Sequence, residues 1–357
     1  MFPPGSPARV AGRGTEPSYG DSSTPTVTAP PGPPHRQEEP RMSSSQPLRG
    51  VVPPVCTPLH PSGDVDTVSL ARHVEHLLSA GVHGLFALGS SGEAAFLTDR
   101  QRDVVLRTVV DSVAGRVPVL AGVIDMTTPR VLAHAEAARE AGADALVATA
   151  PFYARTHPRE IARHYRTLGS RAGLPLYAYD IPVSVHGKLS VDLVRELAED
   201  GTLAGLKDSS GDEGSLRRLV VALGGRHGRA AGPAPSFSIL TGSELTVDCA
   251  LLAGADGVVP GLGNVDPAGY VRLHDAVRAG DLDRAVGEQE RLVELFGMVD
   301  AGPEDAMGRS SSAIGAFKHA LRLLGVFAHG TTADPQIQLD DASVARVGER
   351  LRAAGLL

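Results

Sequence analysis

The sequence predicts a (β/α)8 barrel carrying a C-terminal helical appendage. Three observations lead there. Short apolar runs bounded by Gly, Pro or Asp alternate with segments of helical spacing from residue 51 onward. Such uninterrupted apolar runs suit parallel strands covered on both faces. Helix-to-strand junctions echo one another, as Ala80-Gly81-Val82-His83-Gly84, Ala141-Gly142-Ala143-Asp144-Ala145 and Ala253-Gly254-Ala255-Asp256-Gly257. Eight such units over roughly 210 residues match the ordinary size of this barrel. An open doubly wound sheet would bring a G-x-G-x-x-G turn after its first strand, and this chain has none.

The expected strands are residues 51–56, 84–88, 117–122, 145–150, 175–179, 204–207, 238–241 and 257–259. Between them, apolar residues recur at helical intervals, for example at Leu70, Val74, Leu77 and Leu78 within residues 68–80. Further helical patterns cover residues 102–114, 129–141, 189–198 and 245–253. Thr98 with Asp99, and Ser190, read as helix N-caps, while Gly81, Gly142 and Gly254 stand where left-handed C-caps are needed. Residues 224–235 interrupt the rhythm with an insertion too rich in Gly and Pro for regular structure. It reads as a mobile loop ahead of the seventh strand, at the N-terminal end of the barrel. Helical patterns continue over residues 267–279, 282–299, 312–324 and 342–354, of which the barrel needs only the first.

The organisation expected is therefore a disordered extension over residues 1–48, a barrel over 49–280 and packed helices over 281–357. The extension runs through Pro, Gly and Ser with almost no aliphatic periodicity, and cannot bury enough apolar surface to offset its conformational entropy. It lacks the apolar stretch of a secretory signal, and Met42 offers an alternative start. A formal charge of −7 argues against a nucleic-acid or anionic-membrane surface. No apolar stretch reaches membrane-spanning length, so a soluble, cytoplasmic protein is expected. Cys56 and Cys249 match no zinc or CxxC spacing and read as buried thiols.

Lysine occurs only at Lys188, Lys207 and Lys318 among 34 cationic residues. Lys207 ends the apolar run Leu203-Ala204-Gly205-Leu206, where a strand would deliver it to the barrel mouth. A neutral amine can attack a carbonyl and guanidinium cannot, so Lys207 reads as a Schiff-base nucleophile whose pKa desolvation should lower. The other expected C-terminal strand ends carry Gly89-Ser90-Ser91-Gly92-Glu93, Ala150-Pro151-Phe152-Tyr153 and Tyr179-Asp180-Ile181-Pro182.

With Gly205-Leu206-Lys207-Asp208 and Leu240-Thr241-Gly242, this set resembles the dihydrodipicolinate synthase/N-acetylneuraminate lyase family of class I aldolases. The resemblance covers residues 48–357 and rests on four motifs in order: G-[ST]-[ST]-G-E, Y-[ND]-[VI]-P, G-[IVL]-K-[DE] and the glycine-ended strand. It implies an imine between Lys207 and pyruvate or another 2-oxo acid, with no metal and no separate cofactor. It further implies that Tyr179 relays protons and that Tyr153 completes the relay from a neighbouring subunit of a homo-oligomer. Ser90, Ser91 and Gly92, ahead of a helix, would receive the substrate carboxylate, and Gly242 and Val259 would line the pocket through backbone atoms.

The loop after Tyr179 departs from the family. It reads Val183-Ser184-Val185-His186-Gly187-Lys188, without the arginine that binds the aldehyde carboxylate in true synthases. His186 and Lys188 are candidates to contact a polar or anionic acceptor, against the plainer reading of a solvated loop flank. Asp208 beside the lysine is a loose pointer to sugar-acid aldolases. The activity expected is a lyase joining or cleaving pyruvate and an aldehyde, from a 2-keto-3-deoxy acid. Alternatives are 4-hydroxy-tetrahydrodipicolinate synthase and a hydratase or dehydratase of the same fold. From other classes come a phosphosugar isomerase, for which Gly261-Leu262-Gly263-Asn264 would cradle phosphate, and a non-catalytic sensor. His73 and His76 read as a solvated helix face rather than a zinc site, and Lys318 as a surface or interface residue. Asp125 ends the third strand and could reach the pocket, without an assigned role.

Overall fold

The computed structural model describes residues 47–357, so the expectations for residues 1–46 lie outside the described residues. Eight parallel strands follow the expected order: β1 (Gly50–Val51), β2 (Leu85–Ala87), β3 (Val119–Gly122), β4 (Ala145–Thr149), β5 (Leu176–Asp180), β6 (Gly205–Asp208), β7 (Ser238–Thr241) and β8 (Gly257–Val258). From β2 to β8 each strand pairs with its sequence neighbours, and β8 pairs with β1. The seam between β1 and β2 is closed by the Pro54–Phe86 bridge, where Val55 N–H donates to the Phe86 carbonyl at 2.9 Å. The first strand is shorter than expected because Pro53 and Pro54 bring no N–H to the ladder.

Alternation along each strand separates two apolar layers. Val52, Phe86, Leu120, Ala145, Val147, Tyr177, Tyr179, Leu240 and Val259 fill the barrel interior. Their neighbours, such as Leu146, Ala178, Leu206 and Ile239, pack outward against the helices. Gly205 is required by this filling: a Cβ there would stand 2.3 Å from the Tyr177 ring and 2.8 Å from the Ser238 carbonyl oxygen.

The helices start and stop where local chemistry dictates. Thr98 and Gln101 form a reciprocal capping box on the helix Asp99–Val113, and the Ser190 hydroxyl caps Val191–Glu199. Gly81, Gly142 and Gly254 adopt φ of 82°, 87° and 112° at the helix ends. The helices Pro158–Arg171 and Glu213–Ala222 complete the alternation, and Leu282–Phe296, Arg309–Leu323 and Asp341–Ala353 form the C-terminal appendage.

Four expectations are corrected. The insertion at residues 224–235 contains a short helix, Gly225–Gly228, and a 3-10 turn, Arg229–Ala231. Gly and Pro there are outweighed by one anchor: buried Arg229 pairs with Asp256 at 2.7 Å and donates to the Gly254 carbonyl at 3.2 Å and to the Phe237 carbonyl. His73 is buried rather than solvated, its Nε2 sharing a 2.8 Å hydrogen bond with Asn264 Oδ1. Burial holds its pKa down to about 3, so it stays neutral. Lys318 is fully buried, not at the surface, and forms an ion pair with Glu93. Cys249 is exposed, because its helix turns that position outward, while Cys56 is buried.

Removing Arg229 takes the closest counter-ion from the nearly buried Asp256, leaving it the Ile239 N–H at 2.8 Å and the exposed Arg49 at 3.7 Å. Arg229→Met is expected to lower unfolding free energy by about 3 kcal/mol, read by urea denaturation; a loss under about 0.5 kcal/mol, the size of a surface change, would show that the anchor is dispensable.

Candidate active site

The β5–β6 register sets Tyr179 directly beside Lys207, and the β4–β5 register sets Thr149 beside Tyr179. All three follow the inward alternation of their strands. Lys207, only 6% exposed, places its Nζ 4.0 Å from the centroid of the Tyr179 ring and 5.1 Å from that of Phe86. Two aromatic faces thus hold the amine at the barrel mouth out of bulk water.

The Tyr179 hydroxyl shares a 3.3 Å hydrogen bond with Ser90 Oγ. Burial by itself would raise this phenol's pKa. The Lys207 charge, with hydrogen bonds from Ser90, Lys207 and Ser209, outweighs burial and holds it below its ordinary value. A phenol so placed is suited to giving and taking protons beside the amine.

Residues 89–97 form successive turns instead of leading straight into a helix, which begins only at Asp99 with its own cap. Gly92 N–H donates back to the Gly89 carbonyl at 3.1 Å. Ser90 and Ser91 of this loop both line a cavity of about 440 Å³, as does Tyr179, whereas Lys207 is not among its lining residues. Gly92 supports the loop from below, with its carbonyl accepting from Thr57 Oγ1 at 2.8 Å. Four of the five described non-glycine residues with positive φ, Leu88, Glu93, Tyr153 and His186, lie here at 58° to 72°, the fifth being the helix-capping Ala114. Backbone strain in non-glycine residues thus collects on the loops after β2, β4 and β5.

The other candidates fall into distinct places. Tyr153 is 90% exposed on the loop after β4 and lies outside this cavity, whereas its neighbour Phe152 lines it. Gly242 borders Lys207's strand so closely that a Cβ would stand 1.9 Å from Ser209 Oγ. Val259 packs in the barrel interior with Tyr179. Neither His186 nor Lys188 lines the cavity: His186 is exposed, and the Lys188 ammonium pairs with Asp180 and, at 3.6 Å, with Asp208. Those two carboxylates alternate with Tyr179 and Lys207, so they face away from the barrel interior. Asp125 also lies outside the cavity. It accepts from Arg130 at 2.8 Å and shares a 2.9 Å hydrogen bond with His134.

Sequence reasoning passed over several groups. Phe86 underlies the amine, and its inward position on β2 was the available signal. Thr149 lines the cavity, and its hydroxyl finds no hydrogen-bond partner among the described residues. Glu244 follows Gly242 and accepts from Leu262 N–H at 3.0 Å and from the Tyr270 hydroxyl. Burial raises its pKa, against the pull of those bonds and of Lys207. Only contacts between distant segments could identify that carboxyl.

Replacing Lys207 by Met removes the charge that offsets burial of the Tyr179 phenol. Its pKa should then rise. An ultraviolet difference titration against a Tyr179→Phe control measures this; an unchanged or lower value would mean the two groups are not coupled.

Comparison with known proteins follows the same lines. The family described as the Dihydrodipicolinate synthetase family matches residues 47–354. An uncharacterised DapA-like lyase from Halobacterium salinarum is 37% identical over 310 residues, spanning 87% of this chain and 95% of its own. A 4-hydroxy-tetrahydrodipicolinate synthase from Methanoculleus marisnigri is 30% identical, spanning 84% of this chain and 97% of its own. Among solved structures, the Escherichia coli K12 prophage protein YagE, in complex with pyruvate, superposes with a TM-score of 0.79 at 28% identity. That match covers 87% of this chain and 99% of YagE. With the barrel, the four motifs and the lysine–tyrosine–serine cluster in place, the chain belongs to the dihydrodipicolinate synthetase family and is a carbon–carbon lyase.

Proposed function

We propose that the protein makes or breaks a carbon–carbon bond between pyruvate and an uncharged polyhydroxy aldehyde, through an imine on Lys207. The observation that carries this reading is the near-dry amine stacked on a phenol that is itself hydrogen-bonded to Ser90. The neutral amine attacks the C2 carbonyl of the 2-oxo acid, and the carbinolamine loses water to leave an iminium. In cleavage, Tyr179 as phenolate accepts the proton of the C4 hydroxyl as the C3–C4 bond breaks. The bond's electron pair moves into the iminium, giving an enamine and the aldehyde. Tyr179 then returns a proton to C3, and water releases pyruvate from the lysine. Condensation runs the same steps in reverse.

Ser90 and Ser91 suit the pyruvate carboxylate, one hydroxyl to each oxygen, while Gly242 lets the strand after Lys207's close without a side chain in the way. The reading calls for no metal or separate cofactor, because the iminium is the electron sink. Tyr153, exposed and held at φ 72°, is suited to reach into a neighbouring copy, which makes a homo-oligomer part of the proposal. A cytoplasmic location belongs to it as well; among the described residues no helix is long and apolar enough to cross a membrane.

The cavity wall favours the uncharged acceptor. Glu93 is the one charged residue among those lining it, and its carboxylate is already paired with Lys318. Aspartate semialdehyde would bring an ammonium and a carboxylate to a wall with no group to match them, which weighs against the synthase reaction. The relative YagE is named, provisionally, a 2-dehydro-3-deoxy-D-gluconate aldolase, 31% identical over 255 residues. A 2-keto-3-deoxy sugar acid is therefore the substrate class of choice. The phosphosugar reading is disfavoured because Leu262 N–H, in the loop that would cradle phosphate, already donates to Glu244.

Borohydride reduction with pyruvate, followed by peptide mass mapping, should place a pyruvyl adduct on Lys207. Lys207→Ala should abolish turnover with the fold intact, and Tyr179→Phe should lower kcat about a hundredfold or more. No adduct at saturating pyruvate, or turnover surviving Lys207→Ala, would falsify the reading. Comparing kcat/KM for cleavage of a 2-keto-3-deoxy sugar acid with that for aspartate semialdehyde condensation tests the acceptor; a higher value for the semialdehyde reverses that assignment.

A further inference from the structure

The buried ion pair between Glu93 and Lys318 joins two parts of the chain that the barrel alone would leave unconnected. Glu93 ends the turn carrying Ser90 and Ser91, in a left-handed conformation at φ 58°. Both side chains are 0% exposed. Glu93 Oε1 accepts from Ala333 N–H and from Gln336 Nε2, each at 2.7 Å. Its second oxygen faces the Lys318 ammonium, which also donates to the Thr331 carbonyl at 2.7 Å. Lys318 lies on the helix Arg309–Leu323, whose Ala313, Ile314 and Phe317 line the cavity. The carboxylate thus ties the serine turn to one C-terminal helix and to the segment after it.

A buried charge pair costs desolvation and is a poor device for stability alone, since apolar residues of equal volume often do as well. It is, however, directional. Carboxylate and ammonium, satisfied by one another and by three hydrogen-bond partners in a dry setting, permit one placement of the strained turn. From this we infer that Glu93 and Lys318 are positioning residues, which hold the Ser90–Ser91 hydroxyls in register with the carboxylate of the imine-forming substrate. Neither touches the reacting atoms. The inference rests on the assignment of that turn to the 2-oxo acid carboxylate, and gives the C-terminal appendage a role in substrate affinity.

The test uses the trapping reaction as a binding assay, so no acceptor need be known. For the full chain, the yield of pyruvyl adduct on Lys207 is measured against pyruvate concentration. Lys318→Met, which leaves the Glu93 carboxylate buried without its counter-ion, is expected to raise the half-saturating concentration about tenfold. The maximal yield should remain within about twofold, a split that loss of folded protein would not produce. Neutralising both partners, Glu93→Gln with Lys318→Met, is expected to bring half-saturation back to within about threefold of the native value.

Unchanged half-saturation in soluble Lys318→Met protein overturns the inference, as does a loss of maximal yield alone. Should that variant fail to accumulate, Gln336→Ala serves in its place, because it removes one donor from Glu93 without stranding a charge. It is expected to raise half-saturation about threefold, and no change there overturns the inference. Absence of any adduct on the native protein removes the catalytic reading together with this one, whereas a normal native curve with unaltered variants removes this one only.

Discussion

The register between β5 and β6 is the constraint on which the site depends. Tyr179 and Lys207 are Cα partners across that ladder, and both point into the barrel. A slip of one residue in β5 or in β6 would turn that strand's Tyr179 or Lys207 to the helix-packed side and bring Asp180 or Asp208 inward. Several features guard against such a slip. Tyr177 fills the interior against Gly205, where no other side chain fits, and the acidic pair is held by Lys188. The electrostatics follow from the register: one cation against one phenol, deep enough to interact strongly and close enough to the mouth to meet a substrate.

Around that pair the barrel divides labour between its layers. The interior below the site is packed with aromatic and aliphatic side chains, so the reacting end is a shallow mouth over a solid floor. The wall above is built by loops after β2, β4 and β5 and by the helix Arg309–Leu323. The C-terminal helices are therefore structural neighbours of the chemistry as well as cover for the barrel. Glu244, in the turn after β7, accepts from the Tyr270 hydroxyl, and burial raises its pKa.

Much of the fold was legible from period and punctuation. Apolar runs of four or five residues, glycine after each helix and the lone lysine at a strand tip all report local chemistry, and local chemistry survives folding. The first strand was overestimated because apolar character and hydrogen-bonding capacity separate at Pro53 and Pro54. The insertion at residues 224–235 was misjudged because Arg229 finds Asp256, and a long-range partner can outweigh the turn-forming tendency of Gly and Pro. Cys249 and His73 show the same limit: an apolar or polar neighbourhood in sequence does not say which face of a helix meets the core.

What the amino-acid sequence determined by itself is the alternating architecture and the set of candidate site residues, because strand parity, helix caps and residue chemistry are local properties. Lys207, Tyr179, Ser90 and Ser91 are found together as their motifs implied. Only the tertiary structure decided where the remaining charges went. Lys318 lies 225 positions from Glu93 in sequence yet is buried against it, and Lys188 meets Asp180 and Asp208 on the far side of the strands from the cavity. A charge declares its sign in the sequence but not its partner, since pairing depends on distance in space and on how much water folding leaves between the two groups.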